Sequence, residues 1–193
     1  KKKKTIVSIF VNPTQFNEEK DFEKYPRNIN RDILMLKRLK VSYLFLPKIE
    51  DIYKKKIKNF TLKKADKILC ARHRKGHFEG VLNVMNRLVS IIKCKDVFMG
   101  EKDFQQYFLI NRILGKKFNI KIIGCPTIRE KNKIALSTRN KLLSRSAIKK
   151  ASKIANKLIN LKEISKNNNL INLSRLKKNL ENKYKIQIDY LEF

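Results

Sequence analysis

Apolar residues fall in short blocks separated by polar turns, and the period changes from block to block. Thr5 to Val11 (TIVSIFV) is an apolar, β-rich run that reads as a buried strand, ended by Asn12-Pro13. Residues 14–27 are polar and read as irregular. Ile33, Leu34, Leu36 and Leu39 then form a helix that Asn28 or Asn30 can cap. Val41 to Leu46 is a second strand, stopped by Pro47. Residues 48–60 are mostly polar with a short helix, and 61–77 read as a strand and then a basic loop. From Gly80 onward, Val81, Met85, Leu88, Val89 and Ile92 recur at helical spacing. Asp96 to Met99 is a strand ending at Gly100. Asp103 opens a helix carrying Tyr107, Phe108, Ile110, Ile113 and Leu114. Ile120 to Gly124 is the next strand, before Cys125-Pro126.

The character changes after about residue 128. Ser144 caps a helix to about Leu161. An Asn-rich loop follows (Lys166 to Asn169), then a helix to about Lys183 and a strand from Ile186 to Leu191. Alternating strands and helices predict an α/β fold with a mostly parallel sheet. A length of 193 residues suits one domain, or one domain and part of another.

A net charge of +30 changes the picture by raising nucleic-acid binding as a function class. Such a binder concentrates its basic residues on one face or tail, whereas here lysines run throughout, from Lys1–Lys4 to Lys177 and Lys178. Asn and Ile are abundant too, and these three are the residues AT-rich codons favour. Coding bias and a solvated basic surface are therefore expected, with a polyanion partner as the alternative. The field would still draw in anionic substrates. Cys70, Cys94 and Cys125 lie far apart without metal-ligand spacing, so no metal site is expected and the thiols read as buried or free in a reducing cytosol. Neither a membrane span nor a signal peptide is expected.

Four segments can carry chemistry. Met99-Gly100-Glu101-Lys102-Asp103 lies where a strand ends and a helix begins, the position at which open parallel sheets hold ligands. There Gly100 permits close backbone approach, Lys102 is a point charge for phosphate, and Asp103 can cap the helix or orient a metal-bound water. An ordinary capped βα turn is the alternative. Ile134-Ala135-Leu136-Ser137-Thr138-Arg139-Asn140 places two hydroxyls before a guanidinium, a set suited to a triphosphate, or else forms a polar loop. Phe10-Val11-Asn12-Pro13-Thr14-Gln15-Phe16 offers two amides for a hydroxy acid, or else is a Pro turn capped by Asn. Arg74-Lys75-Gly76-His77-Phe78-Glu79-Gly80-Val81 holds one of the two histidines, which either polarises a substrate or packs beside the helix start. His73 to His77 has one residue too many for an H-x-G-H nucleotide signature.

In this order SIFVNPTQFN, DFEKYPR, GHFEGV, GEKDFQQ, PTIRE and ALSTRN resemble the signature segments of the pantothenate synthetase family, from about Thr5 to Ser144 with a weaker tail to Leu191. The resemblance implies a Rossmann-like nucleotidyltransferase fold over residues 1–127 and a smaller, partial α+β lid domain over 128–193. It implies a cytoplasmic homodimer that binds ATP, pantoate and β-alanine, with Mg²⁺ and with no specific nucleic acid or membrane partner. In that family pantoate carboxylate attacks the α-phosphate of ATP, and β-alanine then displaces AMP from the pantoyl adenylate. The enzyme acts by orientation and charge stabilisation.

Carried onto this sequence, the resemblance gives Gln15 and Gln106 to pantoate, and Gln15 also to β-alanine. Gly100, Glu101, Lys102, Asp103, Ile128, Leu136, Ser137, Thr138 and Arg139 go to ATP. Lys102 and Arg139 become the catalytic charges. Asn12, Tyr25, Arg74 and His77 match positions near the substrates. The family's H-x-G-H segment has no counterpart here, and Thr138 stands for a more usual Ser. An incomplete sequence, with little activity of its own, is the expectation. An inactive remnant, a related adenylate-forming enzyme or a basic nucleic-acid binder are the competing readings.

Overall fold

The computed structural model describes residues 3–16, 19–23, 25–53, 59–165 and 171–192, without the side chains of Gln15, Glu19, Asp21 and residues 162–165. Strand β1 (Ile6–Ser8) runs parallel to β2 (Tyr43–Phe45), with Ile6 opposite Tyr43 and Ser8 opposite Phe45. Parallel pairing demands a crossover. It is made by a 3-10 turn (Pro13–Gln15), a short helix α1 (Glu19–Glu23) and α2 (Ile29–Arg38). Asn28 caps α2 by accepting from the Arg31 amide at 3.2 Å. Helix α3 (Ile49–Tyr53) follows β2, and the short α4 (Cys70–His73) leads into α5 (His77–Ile92).

The second parallel pair joins β3 (Asp96–Gly100) to β4 (Lys121–Cys125), in register from Asp96 opposite Lys121 to Gly100 opposite Cys125. Its crossover is one helical run: α6 (Phe104–Ile110), a π turn (Asn111–Gly115) and α7 (Lys116–Phe118). The run stops at Asn119, whose left-handed φ of 49° is one that Asn tolerates.

Helix α5 is the centre of the molecule. Phe78, Val81 and Leu82 pack with Leu109, Ile110 and Leu114 of the second crossover and Ile122 of β4. Val84 and Leu88 pack instead with Ile52 of α3, Phe10 and Phe45, and Met85 touches both groups. A helix apolar on two sides is what the dense run Val81–Ile92 calls for. It holds both strand pairs by side-chain packing.

Beyond β4 the chain forms a hairpin in which Arg129 bridges Ala135, a 3-10 turn (Thr138–Leu142), α8 (Arg145–Ser165) and α9 (Leu173–Tyr184). Ser144 caps α8 by accepting from the Ala147 amide at 3.2 Å, as the sequence indicates. The Asn-rich loop Lys166–Asn169 lies outside the described residues.

The sequence reading is corrected in five places. The parallel sheet is two separate two-stranded pairs among the described residues. The first strand is shorter than Thr5–Val11, and a short helix occupies part of the stretch read as irregular. No strand occurs over 61–77, where a 3-10 turn (Lys64–Asp66) and α4 form instead and, at the entry, side chains of α5 take the Phe60 N–H (Asn83) and the Leu62 N–H (Glu79). No strand forms over Ile186–Leu191 either, where Glu181 accepts from the Ile188 amide at 2.9 Å. No described helix is long and apolar enough to cross a membrane.

Candidate functional site

The chain leaving β1 is held tightly. Asn12 is 1% exposed. Its Nδ2 donates to the Gly80 carbonyl (3.3 Å), and its Oδ1 accepts from Thr14 N–H (3.3 Å), Thr14 Oγ1 (3.0 Å) and the Tyr53 hydroxyl (2.5 Å). Burial raises the Tyr53 pKa, opposed by its hydrogen bonds to Thr14 and Asn12, so the phenol stays a donor. Gly80 is required here by close approach: a Cβ at that position would sit 2.5 Å from the Thr14 carbonyl oxygen. The Asn12 amide, placed near substrate by the sequence reading, is thus engaged within the protein. It fixes the 3-10 turn that contains Gln15, whose backbone alone is described.

The chain leaving β3 is built differently. Gly100 has an ordinary extended backbone and nothing within 4 Å of the place a Cβ would take, so open space lies beside it. Glu101 lies across Gly124 of β4, its Oε1 2.6 Å from where a Cβ of residue 124 would be. Lys102 Nζ is 3.2 Å from Asp103 Oδ1, with 40% and 62% of the two side chains exposed. So exposed a pair contributes little and is easily exchanged for another anion. Asp103 makes no side-chain cap to α6, which removes the capping alternative.

The adjacent glutamines of α6 are placed differently. Gln105 donates to the carbonyls of Ile68 (2.8 Å) and Asp66 (3.4 Å) and accepts from the Ala71 amide (3.4 Å), tying α6 to the start of α4. Gln106 is half-buried on the same helix. Arg112, one turn and a half further on, pairs with the buried Asp66 at 2.6 Å.

The segment after β4 brings two candidates together. The Leu136 amide donates to the Ile128 carbonyl at 2.9 Å, so both residues stand at the base of the hairpin with their side chains exposed. Asn140 braces it, donating to the Ala135 carbonyl and to Glu130. Ser137 Oγ accepts from the Arg139 amide at 3.3 Å, capping the turn that begins at Thr138 and leaving its own proton to donate elsewhere. The Arg139 guanidinium lies 5.0 Å from the Tyr25 ring and 6.0 Å from the Phe16 ring, which themselves meet edge to face at 5.6 Å. This contact joins the Ser137–Arg139 turn to the chain leaving β1 and gives Tyr25 a place as an aromatic support.

Arg74 and His77 flank Gly76, whose φ of 77° makes the turn into α5. The His77 amide donates to the Arg74 carbonyl at 3.2 Å, and the imidazole meets Phe78 edge-on at 4.9 Å. Both side chains are half-buried.

Four residues with a part in this geometry lie outside the sequence-based set: Tyr53, Gly80, Gln105 and Gly124. The two glycines sit within motifs already singled out or beside them, but a close approach by Thr14 or Glu101 is visible only in three dimensions. Among the described residues no group of three or more His, Cys, Asp or Glu is arranged to hold a metal ion.

A family model described as Pantoate-beta-alanine ligase matches residues 1–193. The chain is 43% identical over 192 residues to the bifunctional pantoate ligase/cytidylate kinase of Prochlorococcus marinus, covering 97% of this chain and 38% of that protein. It is 38% identical to the pantothenate synthetase of Pseudothermotoga lettingae, covering 97% of this chain and 69% of the relative. A crystal structure of pantoate-beta-alanine ligase from Francisella tularensis, complexed with beta-gamma ATP and beta-alanine, superimposes with a TM-score of 0.84 at 38% identity, covering 99% of this chain and 71% of that one. The likeness establishes the Rossmann-like α/β fold of those enzymes for this chain.

Proposed function

The chain belongs to the pantoate-beta-alanine ligase family, and on that premise we propose how its residues divide the reaction. Its function is the family's: forming pantothenate from ATP, pantoate and β-alanine. The proposed nucleotide lobe is residues 1–127 and the proposed lid is 128–193. ATP lies along Gly100–Asp103 and the hairpin base, with Lys102 and Arg139 on its phosphates, Ser137 and Thr138 donating hydroxyls, and Ile128 and Leu136 against the base. Pantoate lies between Gln15 and Gln106, and β-alanine enters beside Gln15. Arg74 and His77 border the same space.

The observation that carries this division is positional. Asn12–Gln15, Gly100–Asp103 and Ile128 all follow the carboxyl ends of parallel strands, β1, β3 and β4. Ligands of open parallel sheets bind there. The open space beside Gly100 suits a phosphate, and the exposed Lys102–Asp103 pair can open to receive it. Mg²⁺ fits this site as an ion carried on the phosphates: Asp103 is the exposed carboxylate beside Lys102, and Mg²⁺ commonly takes one or two carboxylates with substrate oxygens and water. Lys102 and Arg139 stabilise charge on the phosphates as pantoate oxygen attacks, and the two glutamines fix the carboxylate's approach. The proposed setting is the cytoplasm and the proposed assembly a homodimer, to which the exposed, stacked Phe104 and Phe108 offer an apolar contact.

Calorimetric titration of the chain with ATP and Mg²⁺, with pantoate, and with pantoate after ATP tests the reading. Saturable binding of each, with one site per chain, is expected. Absence of pantoate binding, or displacement of both ligands by a short RNA, would contradict it.

A further inference from the structure

We propose that Tyr190 is a positioning residue: it fastens the C-terminal segment of the chain to α4 and thereby fixes the Arg74–His77 turn. The consequence for ligands rests on the placement of Arg74 and His77 beside the substrates.

Residues 186–192 fold back along α9. The left-handed Lys185 (φ 51°) reverses the chain, and the Ile186 amide donates to the Glu181 carbonyl at 3.3 Å. Glu181 Oε1 takes the Ile188 amide at 2.9 Å, and Lys177 Nζ donates to the Asp189 carbonyl at 3.3 Å. Three contacts therefore deliver the next residue, Tyr190, to a set place. Its hydroxyl lies 2.7 Å from Cys70 Sγ, and its ring stacks on that of His73, centroids 6.1 Å apart and planes 19° from parallel. Burial, followed by the Cys70 contact, pushes the Tyr190 hydroxyl up to about 12, so the contact keeps its proton at every pH of ordinary use.

Helix α4 needs such a contact. It has four residues, one turn, too few to persist alone. It is entered through Leu69 at φ 49°, an uncommon conformation for a side chain of that kind. Gln105 grips it from α6, and Tyr190 grips it from the C-terminal segment. What α4 positions is the turn after it: the Arg74 amide donates to the Cys70 carbonyl at 2.9 Å, and the His77 amide to the Arg74 carbonyl. Displacing Cys70 displaces both candidate side chains. The contact thus couples the segment after α9 to the nucleotide lobe.

The test uses the full 193-residue chain with Tyr190→Phe and Tyr190→Ala. Amide hydrogen exchange is followed by mass spectrometry, and ATP and pantoate affinities by titration. In Tyr190→Ala, exchange over residues 70–77 is expected to rise about tenfold or more, with β3 and β4 unchanged and the affinity for ATP or pantoate about threefold weaker. Tyr190→Phe keeps the ring on His73 and loses the hydroxyl. It should give a smaller rise together with faster alkylation of Cys70 in a Cys94→Ser, Cys125→Ser background. Exchange rising only over 186–192 would overturn the proposal, whereas faster exchange at 70–77 with both affinities intact would uphold the fastening and overturn its consequence for ligands. A wild-type chain that bound neither ligand, yet showed the exchange difference, would uphold the fastening and sink the substrate placement of Arg74 and His77. If Tyr190→Ala unfolds, Tyr190→Phe decides alone: unchanged exchange and alkylation overturn the proposal.

Discussion

The turns that leave β1 and β3 are both proposed to meet substrate, yet they are built in opposite ways. At Asn12–Gln15 the buried Asn12 amide is answered inside the protein, by Tyr53, Thr14 and the Gly80 carbonyl. At Gly100–Asp103 the charged groups face solvent, and Lys102 pairs with its exposed neighbour Asp103. The first turn is a rigid mount that carries the backbone of Gln15. The second holds its charge in water until an anion arrives. Orientation of a small hydroxy acid calls for the first design. Stabilising phosphate charge calls for the second, since an exposed ammonium costs little to keep and interacts strongly once the site closes over it.

The contrast can be broken by substitution. Asn12→Ala should have the largest effect on folding, lowering stability by about 3 kcal/mol, because it removes the shared acceptor of the Thr14 amide, the Thr14 hydroxyl and the Tyr53 hydroxyl from a buried position. Urea unfolding measures this, and a loss under about 1 kcal/mol would show the mount to be less rigid than its hydrogen bonds indicate. Gly80→Ala should follow, at about 2 kcal/mol, since its methyl would meet backbone at 2.5 Å and the turn must shift. Pantoate affinity should fall with it while ATP affinity holds. If Gly80→Ala left both stability and pantoate affinity unchanged, the mount would not depend on that approach.

Much of this was legible in the sequence, for reasons that differ by region. Both parallel pairs and α5 announce themselves through apolar period, and Asn28 and Ser144 cap the helices they precede. The segments 61–77 and 186–191 misled because a short stretch with apolar residues suggests an extended chain but not its hydrogen-bond partner. Side chains from α5 and α9 supply that partner here. Gln105 and Gln106 read alike in sequence, and only the fold turns the first toward the carbonyls of Asp66 and Ile68. That Asn12 caps a Pro turn containing Gln15 was open to the sequence. That Asn12 is sealed at 1% exposure was not, because the Tyr53 that seals it comes from a helix 41 residues away.

Binding of ATP and of pantoate to Lys102→Ala and Gln106→Ala, compared with the unchanged chain, tests the division of labour most directly. Both positions are surface or half-buried, so stability should stay within about 0.5 kcal/mol and the affinities should report on the site alone. Lys102→Ala is expected to weaken ATP about tenfold or more and leave pantoate unchanged, and Gln106→Ala to do the reverse. Equal losses of both ligands in both variants, or full ATP affinity without Lys102, would contradict the assignment of the β3 turn to phosphate and of the α6 glutamine to pantoate.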